Sequence, residues 1–450
     1  MRTVVDGCAV VTMDAGRTEH AVGHVVVDGS RIASVGEGRA PRDLPDATYV
    51  DGTGCLATPG LVNTHHHLYQ WLTRGSAVDH TLFEWLTTLY PVWAGLDEDT
   101  VRVGATGALV QLARTGCTTT TDHHYVFPAD GGDLLAAEIE AARAVGLRFL
   151  PTRGSMDLGR SRGGLPPDHV VEEVDAILVA TADAIDRHHD PSPDSMLRVG
   201  VAPCSPFSVT GDLLRQAAAL ARDKGVRLHT HLAETIDEED FCREMFGLRT
   251  VDYLDSVGWL SSRTWLGHGI HFDDAEIARL GAAGTGVAHC PSSNMRLASG
   301  IARTVELEAA GVPVGIGVDG SASNDASNMI LEARQALYLQ RLKYGAEQVT
   351  PERALGWATA GSARVLGRDD VGTIAVGQQA DLALFTLDDL RFSGSHDPLS
   401  ALLLCGADRA DRVMVAGQWR VIDGAVVGLD LPELISAHRS AAARLVGSTP

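Results

Sequence analysis

The sequence predicts an α/β fold: a (β/α)8 barrel of the TIM type, carrying a small β-sandwich domain built from both chain ends. Three observations predict it. Eight short β-rich runs alternate with longer helical runs through the middle of the 450 residues. The two ends share a different texture, short strands separated by turn signals. The polar residues of the middle gather where its strands end.

The opening strands are read over residues 4–11, 24–27 and 32–35, with Asp28-Gly29 as a turn. Residues 380–385, 412–415 and 419–421 repeat that texture, with Asp423-Gly424 as another turn. A closing helix is expected over 434–445, where apolar residues recur at helical spacing. In the middle, β-rich runs fall at 61–65, 118–122, 148–152, 198–202, 226–230, 264–266, 286–288 and 313–318. Helical runs lie between them at 101–113, 134–145, 172–185, 213–221, 275–280 and 305–310. The expected division is 58–366 for the barrel, with 1–57 and 367–450 forming the β-sandwich domain and terminal helix. An open doubly wound sheet would give a similar local texture.

Composition narrows the function classes. A hydrophobic fraction of 45% with 21% charged residues is ordinary for a soluble enzyme. The net charge of −21 argues against a nucleic-acid partner and against an anionic membrane surface. Apolar stretches such as 401–405 and 312–318 are too short to span a bilayer. The first residues lack the apolar run of a secretory signal, so a cytoplasmic location is expected. Seven scattered cysteines include no C-x-x-C pair, which excludes a disulfide framework and a thiolate zinc module. Lys224 and Lys343 are the only lysines.

The decisive observation is what stands at the strand ends. The first barrel strand runs into His65-His66-His67, and the fifth into His229-Thr230-His231 with Glu234 close behind. The sixth ends in Gly267-His268 and the eighth in Val318-Asp319-Gly320. In such barrels the carboxyl ends of the strands converge on one mouth. Residues two apart on a strand share a face, so His65 and His67 can reach one ion while His66 points away; the same geometry pairs His229 with His231. One isolated strand-end histidine is most simply a satisfied core group. Two H-x-H pairs and a terminal aspartate on separate strands point to a metal.

Pro59-Gly60-Leu61-Val62-Asn63-Thr64-His65-His66-His67, His231-Leu232-Ala233-Glu234, Gly267-His268-Gly269 and Val318-Asp319-Gly320-Ser321-Ala322-Ser323-Asn324 together resemble the amidohydrolase superfamily. They fit its branch of aminohydrolases acting on guanine, cytosine and triazine rings. Residues 63–70, Asp122-His123-His124-Tyr125, 152–156 and 202–208 resemble the 8-oxoguanine deaminases of that branch. The likeness spans nearly the whole chain.

The resemblance implies that His65, His67, His231 and Asp319 hold a metal, with Glu234 as proton shuttle. It implies that His268 steadies the attacking hydroxide, and that Asp319 also accepts a proton. Relatives that hold two metals bridge them with a lysine after strand four; here that strand ends in Ala202-Pro203-Cys204, so one metal is expected. Zinc suits nitrogen and carboxylate ligands, and iron would suit the same set. The implied reaction is hydrolytic deamination of a nucleobase-like small molecule by a zinc-bound hydroxide. 8-Oxoguanine going to urate and ammonia is the first expectation, with guanine, isoxanthopterin or a hydroxylated triazine as alternatives. A homo-oligomer is expected because similar enzymes form one.

Four residues are candidates for substrate contact. Gln70 would meet the polar edge of the base, and Trp85 would supply a stacking wall, unless it is simply core. Arg153 is either a donor to a ring carbonyl or half of a structural ion pair. Cys204 stands where guanine deaminases carry arginine, and its small side chain either leaves room for an 8-oxo group or is a buried hydrophobe. Whether His123 or His124 faces the mouth is open. Gly315-Ile316-Gly317-Val318-Asp319-Gly320 also matches the dinucleotide fingerprint of a nicotinamide-dependent oxidoreductase, but no helix is expected to open at Gly320.

Overall fold

The computed structural model describes residues 2–447. The chain first forms β1 (Arg2–Val11), β2 (Glu19–Asp28), β3 (Arg31–Glu37), β4 (Ala47–Asp51) and β5 (Cys55–Pro59). Eight barrel strands follow: β6 (Leu61–Asn63), β7 (Cys117–His124), β8 (Arg148–Ser155), β9 (Gly200–Pro203), β10 (Leu228–Leu232), β11 (Thr264–His268), β12 (Gly286–His289) and β13 (Val314–Ile316). The last strands are β14 (Leu382–Thr386), β15 (Arg412–Val415), β16 (Gln418–Ile422) and β17 (Ala425–Val426).

The eight middle strands pair in parallel, each with its neighbours in sequence, from β6 to β13. The ring closes where Thr64 N donates to Ile316 O at 3.0 Å and Asp319 N to His65 O at 3.0 Å. Every residue of these strands is buried, as parallel strands covered on both faces require. β5 lies between β1, which it meets in parallel, and β14, which it meets antiparallel. One nine-stranded mixed sheet thus joins the two ends into the small domain.

Helices cover the barrel: α1 (Leu82–Trp93), α2 (Glu98–Arg114), α3 (Leu134–Val145), α4 (Val174–His188), α5 (Gly211–Lys224) and α6 (Ile236–Phe246) are the first six. α2 shows why such segments are helical. Asp97 and Thr100 cap its start reciprocally, and Val101, Ala105, Ala108, Leu109 and Leu112 form a buried stripe.

The structure extends the sequence reading in three places. β7 and β8 run on to His124 and Ser155, so His123 and His124 belong to a regular strand and point to opposite sides. α1 was not read as a helix, because its Leu- and aromatic-rich start reads as a core run and Pro91 lies inside it. The terminal helix, Leu431–Gly447, leans on the barrel: Ala441 and Leu445 pack with Tyr69, Leu72 and Trp93, and His438 Nε2 donates to Trp71 O at 3.1 Å.

A buried ion pair ties the small sheet to the barrel. Arg148 at the start of β8 reaches Asp381 at 2.7 Å, and its Nη2 also donates to Gln379 Oε1 at 2.7 Å. Pairing and shared hydrogen bonds keep both charges tolerable without water.

Candidate active site at the carboxyl ends of the barrel strands

Four side chains from three strand ends meet at one point. The Nε2 atoms of His65 and His67 each lie 3.3 Å from Asp319 Oδ1, and His67 Nε2 lies 3.1 Å from His231 Nε2. All four residues are at least nine-tenths buried. Gly317 makes the approach possible, since a Cβ there would stand 2.6 Å from that of His65.

Hydrogen bonds fix which ring nitrogen each histidine presents. Carbonyl oxygens only accept, so each nitrogen facing one carries the proton. His67 Nδ1 donates to His123 O at 2.7 Å, and His231 Nδ1 to Cys204 O at 2.7 Å. His229 Nδ1 donates to Trp265 O at 2.9 Å, which leaves its Nε2 to accept from His65 Nδ1 at 2.7 Å. The rings of His65, His67 and His231 therefore turn Nε2 toward the common point, and that of His65 has no hydrogen-bond partner among the described residues although buried. Burial holds His65, His229 and His231 well below the ordinary imidazole range, His231 at about 3, so these rings stay neutral. Three imidazole nitrogens and one carboxylate oxygen, oriented from behind, form a donor set that fits a zinc ion.

His229 thus points inward as its spacing implied, but it reaches His65 rather than the common point. His66 turns away, its Nδ1 accepting from His67 N at 2.8 Å. His123 faces the barrel interior and stacks on His231, with ring centroids 4.7 Å apart, while Nε2 donates to Ala202 O. His124 points the other way, to Glu138 at 2.7 Å.

Glu234 and His268 stand beside this centre. His268 Nε2 lies 3.4 Å from Glu234 Oε2 and 3.8 Å from Asp319 Oδ2, and its Nδ1 donates to Asn294 Oδ1 at 2.9 Å. Glu234 precedes α6 and is 3% exposed, so it is no solvated helix-start acid. Glu238 of α6 accepts the backbone N–H groups of Ala233 and Glu234 and holds the loop in place. Burial pushes the Glu234 carboxyl up to about 7. Burial opposes charge on His268, but Glu234 and Asp319 outweigh it and raise its pKa. Burial likewise opposes charge on Asp319, yet the His65 and His67 rings beside it hold it well below the carboxylate range. His268 and Asp319 both adopt left-handed backbone, at φ +68° and +63°, strain of the kind that collects at working sites.

A small cleft opens onto these groups. Gln70, Trp85 and Cys204 line it, together with Tyr90, Tyr125 and Phe207. Neither amide atom of buried Gln70 meets a partner at hydrogen-bond geometry. Trp85 hangs from α1 and donates Nε1–H to Ala322 O at 3.3 Å. Burial lifts the Cys204 thiol to about 12, so it is neutral and no nucleophile.

Arg153 is not brought into this cleft. It makes a two-pronged pair with Glu172, at 2.7 and 2.9 Å, and lies over the Phe127 ring. The ion-pair alternative, rather than substrate contact, matches this placement. The glycines of the fingerprint-like run also have another use: Cβ atoms at Gly317 and Gly320 would strike His65 and the Gln70 amide, the latter at 1.8 Å. No helix opens there; the next begins at Met329.

Several contributors were not legible beforehand. His229 reaches His65 across 164 residues of sequence and Asn294 orients His268 across 26, while Ser323, four residues past Asp319, donates to its Oδ2 at 3.1 Å.

Comparison with known proteins agrees with this geometry. A family model described as the amidohydrolase family matches residues 56–420. An 8-oxoguanine deaminase from Pseudomonas aeruginosa is 61% identical over 436 residues, covering 96% of each chain. An isoxanthopterin deaminase from an unknown prokaryotic organism is 40% identical, covering 90% of this chain and 88% of its own. The crystal structure of an atrazine chlorohydrolase from Arthrobacter aurescens TC1, complexed with zinc, superposes with a TM-score of 0.93 at 33% identity, covering 98% of this chain and all of that one. By sequence, by fold and by the match to its model, the chain belongs to the amidohydrolase family.

Proposed function

We propose that this protein is a mononuclear zinc-dependent aminohydrolase that converts 8-oxoguanine and water to urate and ammonia. The observation that carries the reading is the convergence of three imidazole nitrogens and one carboxylate on one buried point at the cleft floor. The 61% identity to an 8-oxoguanine deaminase supports the substrate.

His65, His67, His231 and Asp319 would hold the metal. Zinc bound there acts as a Lewis acid that brings the pKa of water to about 7. Asp319, ionised in its pocket, takes a proton from the attacking water. Glu234, poised near neutrality, protonates the ring nitrogen beside the carbon under attack, then helps deliver the proton held by Asp319 to the departing amine, and the second proton of the water restores the Glu234 acid. His268, fixed by Asn294 between those two carboxylates, donates to the oxygen that becomes the new carbonyl. A C–O bond forms, the exocyclic C–N bond breaks, and ammonia leaves. Gln70 offers a donor and an acceptor to the polar edge of the base, while Trp85 and Phe207 wall the cleft against water. The same reading makes the protein a cytoplasmic homo-oligomer working on a small molecule.

The test is ammonia release from a panel of 8-oxoguanine, guanine, isoxanthopterin and a hydroxylated triazine. 8-Oxoguanine should lead. A lag of an order of magnitude behind any other base sinks the substrate but keeps the reaction. Chelation should abolish turnover and zinc restore it; full turnover by metal-free protein sinks the mechanism.

A further inference from the structure

One polar group lining the cleft is not used by the mechanism. Tyr90, on α1, is wholly buried, and its hydroxyl has no hydrogen-bond partner. Both amide atoms of Gln70 are likewise unpartnered, and Tyr125 and Cys204 line the same space. Tyr90 and Cys204, the latter just past the end of β9, line the same cleft. Tyr125 belongs nearer the metal-binding residues, its ring edge-on to His67 at 5.0 Å. The remaining wall is apolar, from Leu82, Trp85, Leu86, Phe207 and Leu297.

A buried hydroxyl left unpaired costs about 1–3 kcal/mol, so orphans gathered in one cavity point to ligand atoms that satisfy them. We propose that Tyr90 is a specificity-determining residue, whose hydroxyl donates to the carbonyl oxygen on the five-membered ring of the base, in the space left by the small thiol of Cys204. This deepens the substrate reading above and rests on it. Neither the phenol nor the thiol is charged here, which suits a neutral carbonyl and not an anionic group. A site built around such a donor disfavours a base lacking the oxygen, because the hydroxyl is then left unpaired.

The experiment compares kcat/KM for 8-oxoguanine and guanine in wild-type protein and in Tyr90→Phe, with metal content and melting temperature measured for both. The ratio favouring 8-oxoguanine should fall about tenfold or more in the variant, with metal content unchanged. An equal loss on both bases, or an unchanged ratio, overturns the assignment while leaving the substrate reading intact. Wild-type protein that releases no ammonia from 8-oxoguanine overturns that reading and this one together. Should the variant fail to fold, inhibition of the wild type by urate and by xanthine serves instead: urate carries the oxygen and xanthine lacks it. Tighter inhibition by urate is expected, and equal constants overturn the proposal.

Discussion

A histidine ligand is only as useful as the group behind it. His65 can present an unprotonated Nε2 because His229 accepts its Nδ1–H, and His229 can accept because Trp265 O takes its own proton. Partners of this kind are typically worth 10–100-fold in metal affinity. His229→Leu should therefore weaken zinc binding by about that factor in a chelator competition, and unchanged affinity would remove the relay from the account. A second buried pair carries a pH signature. His124 Nε2 donates to Val126 O, so its Nδ1 accepts from the Glu138 carboxyl, which burial lifts to about 8 from an ordinary 4.5. Burial also lowers His124 from an ordinary 6.5 to about 4, so between pH 4.5 and 6.5 the native and unfolded pairs hold one proton each. Only above about pH 6.5 does the native pair keep a proton that the unfolded chain has lost, and the stability it contributes is lost as pH rises from there toward 8. Glu138→Gln keeps a donor but cannot ionise. Its melting temperature relative to wild type should rise between pH 6 and pH 9, and a difference independent of pH would contradict the neutral pair.

At the scale of elements, what the sequence made legible follows from periodicity. Strands buried on both faces and helices with one apolar stripe announce themselves, and α2 and α3 begin close to where their spacing places them. α1 does not, because Pro91 interrupts the pattern of Leu, Phe and Trp residues, although Glu84, Thr87 and Thr88 give it a polar outer face. Tyr90 stayed hidden too, since nothing in the local sequence distinguishes it from core. The terminal helix was visible as a helix, but its docking partner was not, since one apolar stripe fits many surfaces. Its contact with the barrel has a consequence of its own. Ala441 is fully buried beside the aromatic group of Tyr69 and Trp93, so Ala441→Glu places an unpaired carboxylate there. A loss of about 3 kcal/mol in unfolding free energy is expected. A denaturation midpoint within error of wild type would show that the helix does not seal that cluster.

The whole molecule was readable because two different textures occupied the ends and the middle of one chain. The strand-end residues His65, His67, His231 and Asp319 stood out for the same reason: chemistry set on a repeating scaffold falls at repeating places. Arg153 shows the opposite case, since its type and position suited a ligand or an ion pair equally, and Glu172, nineteen residues away, decided between them. The sheet shared by both ends also sets a timetable. Pro59 pairs with Leu382, so roughly three hundred residues must leave the ribosome before β5 gains its second neighbour, which takes about 15–60 s at ordinary synthesis rates. Through that interval the nascent chain carries an open strand edge of the kind that recruits other chains. Its period of greatest exposure to aggregation therefore falls during translation, and chaperone demand should be set by elongation speed more than by the strength of the finished fold.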